Sequence, residues 1–119
     1  MKYIYLNLFI IASLNATDNR SLLFHGNCTT CHFEQKTVSA PSIIELKENY
    51  LRAFPIKKDF VEYMSKWVVK PNKETSIMLD AIEKHELMPE LGYDISTLRE
   101  ISAYIYETDF TKGHDAHKD

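Results

Sequence analysis

Two cysteines stand three positions apart and a histidine follows the second: Cys28-Thr29-Thr30-Cys31-His32. On a helical turn this step puts both thiols on one side of the chain, within reach of the two vinyl groups of one haem. Two thioether bonds would then fix the ring. His32 comes next, where its imidazole can meet the iron. A neutral imidazole is a standard axial ligand, and its other ring nitrogen usually donates to a carboxylate or a backbone carbonyl. Pro41, in a loop close downstream, has the right placement to leave such a carbonyl free. The pattern as a whole is the arrangement that attaches haem c covalently, one per chain.

Other chemistries use a C-x-x-C pair. A thioredoxin-like dithiol needs a preceding strand and a βαβ context, whereas Asp18 to Asn27 reads as a short helix. A structural zinc site needs two further clustered ligands, and only scattered histidines remain. A disulfide is the ordinary fate of two cysteines in an exported protein, but a bridge across two residues closes too small a loop to contribute much.

The elements that must position this motif read as helices throughout. Asp18 or Asn19 can cap the first, with Leu22, Leu23 and Phe24 as its apolar contacts. Phe33 to Ala40 lacks a helical period. Pro41 opens a segment with Ile43, Leu46 and Tyr50 on one face, and Phe54-Pro55 breaks it. Lys57 to Lys70 sets Phe60, Tyr63, Met64, Trp67 and Val68 at helical spacing, and Pro71 ends it. Lys73 to His85 repeats an amphipathic pattern through Ile77, Met78, Ala81 and Ile82. A loop carrying Met88-Pro89 and Gly92 follows. Asp94 then caps a last helix with Leu98, Ile101, Tyr104 and Ile105 on one face. No strand pattern or internal repeat stands out, so the expected class is all-α, in one domain.

Residues 1–16 have the form of a secretory signal peptide, with Lys2, an apolar run from Tyr3 to Ala12 and a small-residue end at Ala16. The run is too short to span a bilayer, for which about 20 apolar residues are needed. The expectation is therefore export to the periplasm with cleavage, a folded domain over 17–110 and a polar tail over 111–119, with no stable membrane insertion afterwards. The whole chain carries 14 basic and 17 acidic side chains. Without Lys2 this becomes 13 against 17, a formal charge of −4, which makes nucleic acid a poor partner.

These residues resemble those of the class I cytochrome c family, over about Ser21 to Thr108. The resemblance rests on Leu23-Phe24 just before the first cysteine, C-T-T-C-H, Ala40-Pro41, Met88-Pro89, and Ile101 with Tyr104 in the last helix. It is closer to small bacterial monohaem members than to the mitochondrial carrier. It implies four to five short helices wrapped around one haem, the first and last helices crossing with Phe24 against Tyr104, and a methionine loop over the haem's second face. One departure stands out: the family usually has glycine four residues before the aromatic, where this chain has Arg20.

Met88 is the expected second iron ligand, since it lies in a loop and Pro89 stiffens its approach. Met64 and Met78 sit on apolar stripes, where methionine ordinarily fills core. His85, within a turn of Met88, is the rival. His25 lies on the proximal side, and His114 and His117 lie in the tail. Trp67, with Arg52 or Lys70, is a candidate contact to a haem propionate, as the resemblance implies, or else simply packs in the core. The expected function is one-electron transfer by a monomeric carrier, not an enzyme, moving between a donor complex and a terminal oxidase or reductase. The alternatives are a haem sensor or enzyme with a vacant or displaceable sixth position, and a haem subunit of a larger oxidoreductase.

Overall fold

The computed structural model describes residues 16–112, and within them every regular element is helical. Five α-helices run in order: α1 Ala16–Asn27, α2 Ile43–Ala53, α3 Lys57–Val69, α4 Leu79–His85 and α5 Ile95–Glu107. Short 3-10 turns cover Lys73–Thr75 and Phe110–Lys112. None of these helices is long and apolar enough to cross a membrane. The signal-peptide assignment falls on residues that, Ala16 apart, lie outside the described ones, as does the tail from 113 onward.

The expected boundaries hold for α2, α3 and α5, with local corrections. α1 begins at Ala16, so Asp18 and Asn19 lie inside it rather than at its cap. α2 is capped by Ser42, whose hydroxyl accepts from the Glu45 amide at 3.1 Å, and Pro41 stands just outside. The largest difference is the segment expected as one helix over Lys73 to His85. Here the Asn72 carboxamide caps the Glu74 amide and the Ser76 hydroxyl accepts from the Met78 amide. Ser76 is extended at φ −72°, ψ 140°. Short polar side chains that satisfy nearby amides compete with helical hydrogen bonds, so the apolar period survives while the helix restarts only at Leu79.

The core is built where α5 meets α1 and α3. Phe60, Met64 and Ser65 of α3 are buried, as are Leu98, Ile101, Ser102 and Ile105 of α5. Met64 is thus core, as its place on the stripe implied. The Ser65 hydroxyl is satisfied by the Val61 carbonyl at 2.6 Å. α2 joins through aromatic contacts: Tyr50 meets Phe60 at 5.7 Å and Phe54 stacks on Tyr63 at 4.6 Å between ring centroids.

Phe24, completely buried, anchors α1 against Tyr104 at 5.3 Å and Phe110 at 5.4 Å. The expected Phe24–Tyr104 contact is therefore present. Arg20 uses its departure from glycine to reach α5: its guanidinium donates to Glu107 at 2.7 Å, and Lys57 of α3 donates to the same carboxylate. These donors hold the Glu107 carboxyl at about 2, below its ordinary 4.5.

A depressed carboxylate stabilises the fold above its unfolded pKa, and the gain disappears as pH falls toward 2. Because Glu107 is 37% exposed, solvent screening limits the effect to about 1 kcal/mol. Glu107→Gln is expected to lose about that much at pH 6 and to converge with the parent chain near pH 2, read by urea melts at both pH values. A constant gap across pH would count against the pairing.

Between α4 and α5 the chain turns at Glu86, which sits at φ 76°, ψ 166°. This region is essentially reserved for glycine and costs other residues about 1–3 kcal/mol. Glu86→Gly is expected to gain about 1 kcal/mol after the extra freedom of the unfolded chain is deducted. In a domain of this size that is about 4–8 °C in Tm, and an unchanged or lowered Tm would argue against strain at this position.

Candidate functional site

The Cys28–His32 segment continues α1 as an irregular turn. The Cys28 amide donates to the Phe24 carbonyl at 2.9 Å, and the amides of Cys31 and His32 both donate to the Cys28 carbonyl, at 3.3 and 2.9 Å. The two thiols are thus held one turn apart on a segment that begins at the fully buried Phe24. Both cysteines are unbridged; Cys28 is half-buried against the core, and Cys31 is exposed. Burial pushes the Cys28 thiol up to about 11. A thioredoxin-type nucleophile needs the opposite shift, toward the thiolate.

His32 is half-buried, and its Nδ1 donates to the Pro41 carbonyl oxygen at 2.8 Å. That contact leaves Nε2 as the nitrogen with a free lone pair. Burial lowers the His32 pKa, the Pro41 carbonyl partly opposes this, and the nearby His85 imidazole lowers it further. The ring is therefore held neutral and in one tautomer, the state a metal requires of histidine.

The carbonyl itself is well placed. The loop over residues 33–42 closes at its neck, where the Ile43 amide donates to Phe33 O at 2.8 Å and the Ile44 amide to Glu34 O at 3.2 Å. Across it, Thr37 Oγ1 accepts from the Ser42 amide and donates to the Glu45 carboxylate. Pro41 is held two residues before that neck.

Met88 is half-buried in the loop after α4 and is not among the residues packed on the core. Tyr93, at the far end of the same loop, donates its hydroxyl to the Asn27 side chain and so ties the Met88 loop to the residue before Cys28. His85, the last residue of α4, lies near His32, as its effect on that ring shows. Met78 lines a cavity of about 320 Å³ between α2 and the start of α4, together with Glu45, Asn49 and Asp80. None of Cys28, Cys31, His32 or Met88 borders that space.

Trp67 is half-buried, and its indole N–H donates to the Asn72 carbonyl at 3.0 Å. Tyr63 likewise donates to the Thr75 carbonyl at 2.6 Å. Both polar handles thus hold the connection between α3 and α4. Arg52 donates to Asn49 within its own helix.

One pair escaped the sequence reading. Among the described residues Glu34 is the only buried charged side chain, and it contacts His25 at 3.0 Å. Its one signal in the sequence is an acidic residue two positions after His32, in a loop whose burial no periodicity reports. Groups of three or more His, Cys, Asp or Glu able to hold a metal ion are absent among the described residues, so the zinc reading finds no ligand set there.

A one-turn dithiol segment, a neutral histidine oriented by a carbonyl, and a methionine loop tied back to the same segment suit a covalently attached, histidine-ligated haem. No family model, curated protein or solved structure matches the chain significantly.

Proposed function

We propose that this chain is a c-type cytochrome of the class I kind, with the cytochrome c fold, which carries one haem c and passes single electrons between redox proteins. The observation that carries the reading is the His32–Pro41 bond at 2.8 Å directly after C-x-x-C. It fixes the tautomer and presents Nε2, which is the task of a proximal ligand's outer partner. Bound there, haem would supply a reversible one-electron iron couple.

Each residue then has a defined part. Cys28 and Cys31 tether the ring by thioether bonds, and His32 ligates the iron with Pro41 orienting it. Met88 supplies the second axial sulfur from a loop, and Trp67 braces the connection on which α4 rests. With both axial positions filled, small short-lived protein contacts suffice for exchange, as in other redox encounters. Export to the periplasm, a monomeric state, and a donor complex with a terminal oxidase or reductase as partners belong to the same proposal.

A second reading has one observation in its favour. No residue of α4 is buried, and Leu87 and Leu91 beside Met88 are 42% and 45% exposed. A ligand on so lightly packed a loop is displaceable, as in a haem sensor or enzyme.

The test is co-expression of the full chain with a haem c maturation system, followed by mass spectrometry and visible spectra. One covalent haem, lost in the Cys28→Ala/Cys31→Ala double variant, is the expected result. A chain that matures without gaining haem mass would sink the proposal.

A further inference from the structure

Among the described residues one charged side chain is buried. Glu34 is 6% exposed, and its carboxylate meets His25 Nε2 at 3.0 Å. The other nitrogen of that ring faces the Ser21 backbone carbonyl at 2.9 Å, with the Ser21 hydroxyl at 3.3 Å. A carboxylate only accepts, so the ring donates to Glu34 from Nε2, while Nδ1 is held at Ser21. His25 is fixed further by Phe24, whose buried ring meets it edge-on at 5.0 Å. The pair therefore joins a rigid point on α1 to residue 34.

Residue 34 is no ordinary loop position. Its own carbonyl, with that of Phe33, accepts the amides that close the neck of the 33–42 loop. The next residue, Gln35, donates to the Phe110 carbonyl at 3.0 Å, so the neck is pinned on two sides. Pro41, whose carbonyl holds His32, lies immediately inside that neck. Stability alone is a poor reason for the arrangement, since a buried polar pair is often matched or bettered by apolar side chains of similar size. What a hydrogen-bonded pair offers that apolar contact does not is a directional link of fixed length.

We propose that His25 and Glu34 are positioning residues for the proximal histidine: by tying the neck of the 33–42 loop to α1, they hold the Pro41 carbonyl on His32 Nδ1. Through that bond they set how strongly His32 donates to the iron. The electronic consequence rests on the haem reading; the geometric one does not.

The full chain without haem, labelled with 15N histidine, tests the geometry. His32 is expected to be a single Nδ1–H tautomer, and E34Q or H25Q to admit a measurable share of the other. In the haem-loaded protein the same variants weaken the bond to Pro41, so His32 donates less and the oxidised iron is less favoured. The midpoint potential is expected to rise by about threefold in the redox equilibrium, about 28 mV at 59 mV per tenfold for one electron.

The double variant H25Q/E34Q is expected to shift no further than either single. Because it leaves no unpaired buried charge, it keeps the test open if a single variant does not fold. A lower Tm with the His32 tautomer and the potential unchanged would mean that the pair is merely structural, and would overturn the proposal. Failure of the parent chain to take haem would remove the functional reading, while the tautomer measurement would still judge the clamp.

Discussion

Phe24→Ala is expected to destabilise the fold by about 3–5 kcal/mol, the usual cost of removing a buried aromatic and leaving its cavity. Phe24 has no exposed surface and touches the rings of His25, Tyr104 and Phe110, so three elements lose a shared partner at once. Small domains hold only about 5–15 kcal/mol in total, which makes this a large fraction of the reserve. The urea midpoint should fall accordingly, while Leu22→Ala on the same helix, 69% exposed, should move it by no more than about 0.5 kcal/mol. Equal effects from the two substitutions would mean that α1 is not docked through Phe24. The consequence extends to the site, because the Phe24 carbonyl receives the Cys28 amide and begins the turn that carries both thiols.

Why so much of this was legible follows from what periodicity encodes. Phe60, Met64, Leu98, Ile101 and Ile105 recur at helical spacing, and each is buried. The Phe24–Tyr104 contact and the Pro41–His32 bond were both expected, the first from a resemblance and the second from the need of a ligating imidazole for an acceptor. The features that escaped depend on side chains competing for the backbone or on contacts distant in sequence. Ser76 and Asn72 interrupt the helix expected before His85 by taking amides that an apolar count does not see. Glu34 is buried by a loop, and its partner His25 is nine residues away with no regular element joining them. Arg20 looked like a flaw in the approach of two helices, yet it bonds Glu107 across them.

On the proposed haem reading, the largest functional effect is expected at Met88, the proposed second axial ligand. Methionine at this position raises the potential of a histidine-ligated haem. In the haem-loaded protein, Met88→Ala should therefore abolish the weak red-edge band of iron–sulfur bonding, open the reduced iron to carbon monoxide and lower the potential. Axial ligands command a span of about 0.8 V, and a fall on the order of 100 mV is a modest part of it. His85→Ala should leave the band in place.

The two residues are separable because they differ in setting. His85 ends α4 near His32, whereas Met88 lies beyond the turn at Glu86, on the loop that Tyr93 ties to Asn27. That tie brings the Met88 loop to the segment carrying the thiols, while α4 has no buried residue to anchor His85. Should His85→Ala remove the low-spin spectrum and Met88→Ala leave it intact, the iron would be held by two imidazoles. The protein would then work at a lower potential, with Met88 serving only to cover the loop.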